Sequence, residues 1–97
     1  MVVVERRKEG ISLRGHANYA KPGKDIVCAG VSVLVQTLIQ SIEGLTADKI
    51  QYSVSPGTVD IKYGSLSKDA QLLVNSFFIG IQMIANDYPA NVKLTER

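Results

Sequence analysis

The feature that most constrains the fold is a long stretch without a charged side chain, residues 26–42. Within it, apolar residues recur every three or four positions, the repeat of one face of an α-helix. Asp25 precedes the stretch and can accept the free N–H groups of a first helical turn, and Gly44 suits a helix end. The sequence therefore predicts a helix over residues 26–43, with an apolar stripe of Val27, Val31, Leu34, Leu38 and Ile42.

Four shorter segments alternate apolar and polar residues, as strands with one buried face do. The first two flank a charged loop and the other two flank Ser55-Pro56-Gly57-Thr58, a sequence suited to a tight turn. A second helical stripe, from Ala70 to Tyr88, begins near Ser67 and ends before Pro89. The order β-β-α-β-β-α predicts an α+β fold, one small sheet with two helices. The predicted strands are residues 2–5, 11–14, 50–54 and 59–63.

Length and composition limit the organisation of the chain. Its 97 residues suit a single domain over residues 1–97. A domain this small buries a modest share of its surface, and Leu72, Ile79 and Met83 lie off the main stripe of the second helix. We therefore expect part of that helix to face a second subunit in a homodimer.

Charge and cysteine content limit the binding partners and the cellular compartment that the sequence predicts. A formal net charge of +2 does not by itself demand a nucleic-acid or membrane partner. Residues 26–42 are shorter than the roughly 20 apolar residues of a membrane span and include five polar side chains, so we expect a buried helix. Three N-terminal valines are too few for the apolar core of a signal peptide, and a lone cysteine persists in a reducing compartment. These features predict a cytoplasmic protein.

The only histidine and the only cysteine, His16 and Cys28, lie in one segment. If Asp25 caps the helix, Cys28 is in the first turn, where free N–H groups and the helix dipole favour a thiolate. His16 ends the second predicted strand, and the loop between them is long enough to let imidazole and thiol meet. We expect this loop to be mobile: Ala17, Asn18, Tyr19, Ala20, Lys21, Pro22, Gly23 and Lys24.

Alternatives remain open for each of these residues. A lone cysteine near a helix start is commonly a small core residue, and a lone histidine commonly a hydrogen-bonding one. Asp25 caps the helix, orients the histidine, or does both. Ser32 lies one turn after Cys28 and either supports the site or bonds back to its own helix. One histidine and one cysteine fall short of a zinc site, so we expect no metal and no cofactor.

At this segment the sequence resembles the bacterial ribosomal-processing cysteine proteases. The resemblance lies in Gly15-His16-Ala17, in Gly23-Lys24-Asp25-Ile26-Val27-Cys28-Ala29 and in Val31-Ser32. It implies a nucleophile at Cys28, its histidine at His16, and the motif aspartate and serine at Asp25 and Ser32. The family more often has alanine at the position of Gly30, a difference that removes no functional group.

The resemblance also implies the reaction and the partners. Such a protease removes an N-terminal extension, ending in aromatic residues, from a large-subunit ribosomal protein during ribosome assembly. It is a homodimer whose loop between the catalytic residues rearranges with substrate. Because 6% aromatic residues and a net charge of +2 offer little stacking surface or basic field, direct nucleic-acid binding is not expected. For the oxyanion we expect the backbone N–H groups of Cys28 and Ala29. Two alternatives stay open: a non-enzymatic ribosome- or RNA-associated homodimeric binding module, and a structural homodimer in which His16 and Cys28 are core residues.

Overall fold

Two helices lie on one face of a five-stranded sheet in the computed structural model, which describes all 97 residues. The predicted α+β class and the four predicted strands and two helices are confirmed, with boundaries within two residues. A fifth strand at the C-terminus was not predicted. The elements are β1 (Val2–Arg7), β2 (Gly10–Arg14), α1 (Ile26–Leu45), β3 (Gln51–Ser55), β4 (Thr58–Lys62), α2 (Lys68–Asp87) and β5 (Val92–Glu96).

The strand order is β3-β4-β2-β1-β5. The two predicted hairpins are joined through β2 and β4, which pair antiparallel with Leu13 opposite Val59. The unpredicted β5 pairs parallel with β1, with Val2 opposite Val92. β1 is therefore an interior strand, which explains why Val2 and Val4 are both buried.

The core lies between the sheet and the helices. Strand residues alternate, so that one set of side chains faces the helices and the other faces solvent. The inner set is apolar, and burying one such Val, Leu or Ile side chain contributes about 1.5–3 kcal/mol. The outer set is mostly polar, as expected for a sheet covered on one face only. The inner residues buried in the core are Val2, Val4, Ile11, Leu13, Val59, Ile61 and Val92.

Helix α1 begins where the sequence predicts, because the Asp25 side chain accepts the Cys28 N–H and caps the first turn. The prediction that Gly44 ends the helix is wrong: the helix continues to Leu45, and the Thr46 N–H closes it on the Ile42 carbonyl. By length and composition α1 could cross a bilayer, but a core helix has the same composition, and its apolar stripe packs in the core.

Helix α2 is capped by Ser67, whose hydroxyl accepts the Ala70 N–H at 3.1 Å, as predicted. It packs along α1 at two glycines. Gly80 leaves room for Leu34, and Gly30 leaves room for Ile84. The three apolar residues predicted to lie off the main stripe, Leu72, Ile79 and Met83, are exposed.

Candidate active site

His16 is held at the end of β2 by the turn between β3 and β4. Gly15, the residue before it, has a φ of 98°, and its N–H donates to the Gly57 carbonyl at 2.9 Å. A Cβ at Gly15 would overlap the Met1 carbonyl oxygen, so both conformation and space require glycine here. The His16 ring then packs directly on Gly57, where an added Cβ would lie 2.8 Å from Nε2.

Cys28 lies in the first turn of α1, as predicted. It is half-buried against the core, and its N–H donates to Asp25 Oδ1 at 2.9 Å. A thiolate at this place gains from the dipole at the start of a 20-residue helix. His16 is exposed. The structure therefore excludes the alternative in which both residues are simply core residues.

The two side chains share two cavities. The first, of about 420 Å³, also reaches Ser32 and has an otherwise largely apolar wall. The second, of about 700 Å³, extends toward the loop before α1 and is again lined by His16, Cys28 and Ser32. These three side chains thus lie where the two cavities meet. The apolar wall of the first cavity includes Leu13, Val31, Val35, Val54, Pro56 and Val59.

Sequence reasoning missed the β3–β4 turn as part of this site. Pro56 and Gly57 line the first cavity, and Gly57 both accepts the Gly15 N–H and supports the His16 ring. The pattern Ser55-Pro56-Gly57-Thr58 identified a turn, but not the distant residue that would pack on it. A local pattern carries no information on a contact between residues about 40 positions apart in the chain.

No hydrogen bond joins the His16 imidazole and the Cys28 thiol, although both face the same space. Hydrogen bonds of catalytic groups commonly tighten only when substrate is bound, so the arrangement is compatible with a dyad completed by substrate. The substrate carbonyl and its leaving nitrogen would then lie between the two side chains.

Asp25 caps the helix and also accepts hydrogen bonds from the first part of the preceding loop. Its Oδ2 accepts the N–H groups of Tyr19 and Ala20 at 2.9 and 3.2 Å, while Oδ1 accepts that of Cys28. These backbone donors, the Cys28 N–H first, lower the pKa of the Asp25 carboxyl below 3.8. Asp25 makes no hydrogen bond to His16, so the capping role is confirmed and the orienting role finds no contact here.

The loop predicted to be mobile divides into two parts. Its first part is anchored: Ala17 is buried, its carbonyl accepts Asn91 Nδ2 at 2.9 Å, and the Tyr19 ring meets the Tyr88 ring edge to face. Its second part, residues 21–24, is an exposed turn closed by the Lys24 N–H on the Lys21 carbonyl. Conformational change is easier at this turn than in the anchored part.

The two amides predicted to bind an oxyanion are already engaged. The Cys28 N–H donates to Asp25 Oδ1, and the Ala29 N–H donates to the Asp25 carbonyl at 3.0 Å. In this conformation neither is free to receive an oxyanion. As to a metal, no group of three or more His, Cys, Asp or Glu side chains is gathered to hold one.

A thiol at a helix start, an accessible imidazole beside the same cavities and an apolar wall are the features expected of a cysteine hydrolase site. Comparison with known proteins makes this class specific. The family described as Cysteine protease Prp matches residues 1–93, and the chain belongs to that family of cysteine proteases.

Relatives and solved structures agree with this assignment. The chain is 31% identical to the ribosomal processing cysteine protease Prp of Staphylococcus aureus, over 93% of this chain and 88% of that protein. It is 27% identical to the protein of that name from Bacillus subtilis, over 86% and 80% of the two chains. The crystal structure of the essential S. aureus protease with a covalently linked product peptide has a TM-score of 0.96 at 25% identity, covering 100% of both chains.

Proposed function

We propose that this cysteine protease processes a ribosomal protein precursor, removing an N-terminal extension that ends in aromatic residues from a large-subunit protein. The relatives named above are ribosomal processing proteases, and one of the similar solved structures holds a substrate peptide. The observation that carries the proposal is the position of His16 and Cys28 where two cavities meet. A peptide can occupy one cavity on each side of the bond to be cut.

The proposed mechanism is acyl transfer. The Cys28 thiolate attacks the scissile carbonyl carbon, and the resulting tetrahedral intermediate collapses as His16 donates a proton to the leaving amine. A water molecule then attacks the thioester carbon and gives one proton to the neutral His16. Collapse of this second tetrahedral intermediate expels the Cys28 thiolate, and the product acid releases the remaining proton to solvent as it becomes a carboxylate. The enzyme ends in its starting state, so no cofactor is needed.

The wall of the smaller cavity suits the proposed substrate. Val54, Val59 and Pro56 provide apolar surface on the strand side, and Val31 and Val35 provide it on the helix side. A volume of about 420 Å³ is sufficient for an aromatic side chain. We therefore place the last aromatic residue of the extension in this cavity, with its carbonyl toward Cys28.

Asp25 and Ser32 act on the site in different ways in this proposal. Asp25 is a positioning residue, because it fixes the first turn of α1 and the amides of Tyr19 and Ala20 at the same time. Ser32 is exposed, lines both cavities and can donate to the bound peptide. The exposed turn at residues 21–24 rearranges around the substrate on the loop side.

For the oxyanion, the Cys28 and Ala29 amides can contribute only if the first turn of α1 shifts. Substrate would have to displace the Asp25 carboxylate from the Cys28 N–H, because that amide is occupied in the free protein. An Asp25→Ala variant frees this N–H but also loosens the loop, whereas Asp25→Asn keeps one acceptor oxygen. Comparing kcat for the two variants separates the effect of the freed Cys28 N–H from the effect of the loosened loop.

The proposal includes a homodimer in the cytoplasm. Leu72, Ile79 and Met83 are 68%, 64% and 63% exposed on one side of α2, more apolar surface than a solvated helix face requires. We place the second subunit on this surface. Sedimentation of the native chain and of Ile79→Lys tests it: a dimer for the first and a monomer for the second support it, and an unchanged species in both contradicts it.

The function is tested with a peptide spanning the junction of a ribosomal protein precursor, followed by mass spectrometry. The native chain should cut once, after the aromatic end. Cys28→Ser and His16→Ala should each reduce kcat by about 1,000-fold or more, because the nucleophile or its proton carrier is lost. Thr37→Ala, on the exposed surface of α1 and outside both cavities, serves as the matched control and should cut normally.

Two outcomes would reject the proposal. If Cys28→Ser cut the junction at the native rate, the thiol would not be the nucleophile. If the native chain bound the peptide without cutting it, the chain would act as a binding module on this substrate.

A further inference from the structure

The outer face of the sheet, which no helix covers, concentrates positive charge. The strand register turns one set of side chains away from the helices, and Glu5, Ser12 and Asp60 lie side by side in its central row. Positively charged side chains occupy the next row of outward-facing residues on each side of this central row. The cationic side chains of this outer sheet face, all exposed, are Arg7, Arg14, Lys62, Lys93 and Arg97.

The carboxylates of this face are already paired. Glu5 accepts Arg7 Nε at 2.5 Å and lies 3.4 Å from Arg97 Nε. Asp60 accepts Arg14 through both oxygens, at 3.0 and 3.1 Å. The face therefore has an excess of three positive charges, while the whole chain has a net charge of +2. Lys62 and Lys93 have no carboxylate partner.

The remaining residues of the outer sheet face are polar. Gln51, Ser53 and Thr95 provide hydrogen-bonding groups, and the one apolar member, Val3, is half-buried. At the β3 edge, a shallow cavity of about 450 Å³ is bordered by Arg7, Gln51 and Lys62. A surface with so little apolar area is unsuited to membrane insertion.

We infer that the outer sheet face binds the phosphate backbone of RNA. The inference rests on the proposed function, since a ribosomal substrate would bring RNA close to the enzyme. The catalytic cavity is lined by inner strand residues, Val2, Leu13 and Val59, so RNA on the outer face leaves the peptide site open. Net charge predicted no direct nucleic-acid binding because it averages two unlike faces of the sheet.

Binding is measured by fluorescence anisotropy of a labelled single-stranded oligoribonucleotide over a range of salt concentrations. Three neutralised phosphates give a slope of log K against log salt near about −2, and each cation removed weakens binding about fivefold at roughly 0.1 M salt. Lys62→Gln with Lys93→Gln should weaken binding about 25-fold and reduce the slope by about 1.4. Lys68→Gln, which removes one charge from α2, is the matched control and should keep native affinity.

The same samples separate this inference from the proposed function. Cleavage of the free junction peptide should be equal in the native chain and the double variant. Unchanged RNA affinity in the double variant, or equally tight binding of polyglutamate, would overturn the inference, and the second outcome would make the partner an acidic polypeptide. If RNA binds as expected but the native chain does not cut the peptide, the proposed function alone fails.

Discussion

At the scale of single residues, the site depends on where glycine allows close approach. The sequence was sufficient to predict that Asp25 caps α1 and that Cys28 is in its first turn, because capping depends on neighbours in the chain. It could not predict that His16 rests on Gly57, since that contact requires the β2–β4 pairing to form first. The Asp25 cap could be predicted because it depends on neighbouring residues, whereas the contact between His16 and Gly57 depends on long-range strand pairing.

Replacing Gly57 by alanine should disable the histidine. The new Cβ would lie 2.8 Å from His16 Nε2 and 3.1 Å from Cε1, so the ring must move. A displacement of about 1 Å at a catalytic group costs on the order of 100-fold in kcat/KM. The φ of 72° adds about 1 kcal/mol of backbone strain.

Peptide cleavage measures the effect of displacing the His16 ring, and urea unfolding measures the effect of backbone strain on stability. Gly57→Asn is the control, because asparagine adds the same Cβ but tolerates a positive φ better than alanine does. It should lose less stability than Gly57→Ala and a similar amount of activity. Native kcat/KM in Gly57→Asn would show that strain, not contact with His16, is responsible.

Acid should release the loop before α1. The folded-state pKa of Asp25 is lowered by the Cys28, Ala20 and Tyr19 N–H groups, so its contribution to stability is complete above the ordinary value of 3.8. That contribution is lost as pH falls through the lower folded-state value. The NMR shifts of the Tyr19 and Ala20 amides should therefore titrate together below pH 4, with about the same midpoint. In Asp25→Asn neither amide should titrate in this range. Titration unchanged by this substitution would assign the effect to another group.

At the scale of elements, periodicity predicted the helices well but not their ends. Gly44 follows the last turn of the predicted stripe, yet the helix continues through it because the Thr46 hydroxyl and N–H both bond to the Ile42 carbonyl. The C-terminal strand was missed although Val92 and Leu94 alternate with polar residues. Five residues with two inward apolar side chains are a weak local signal, and the parallel pairing with β1 that stabilises them is remote in sequence.

The helical glycines should respond differently to alanine. Gly44 has nothing within 4 Å of an added Cβ, so Gly44→Ala should stabilise the protein by about 1 kcal/mol through helix propensity alone. Gly80→Ala brings the same propensity gain but would place its Cβ 2.8 Å from Leu34 Cδ2. Overpacking of this kind costs about 1–3 kcal/mol, so Gly80→Ala should be the less stable variant by at least about 1 kcal/mol. Thermal melts that rank the two in the opposite order would show that the α1–α2 seam adapts freely.

At the scale of the whole molecule, β5 connects stability to the site. It pairs with β1 from Val2 to Arg6, and Val2 both packs on the core and lines the first of the two cavities beside His16 and Cys28. The Asn91 side chain, just before β5, holds the Ala17 carbonyl in the loop that precedes α1. The C-terminal segment therefore supports both β1 and the loop that precedes α1.

A charge on the core-facing side of β5 should strongly destabilise the domain, and a charge on its solvent-facing side should not. Val92 is 1% exposed opposite Val2, so Val92→Asp leaves an uncompensated buried charge that costs about 3–5 kcal/mol. A domain's total stability is commonly about 5–15 kcal/mol, so this loss should lower the unfolding midpoint sharply. Lys93→Asp puts the same side chain one residue further on, exposed on the outer face, and should change stability by about 0.5 kcal/mol or less. Circular dichroism melts of the two variants compare them directly. Similar midpoints would mean that β5 is not held against β1 in solution, and that the walls of the first cavity do not depend on β5.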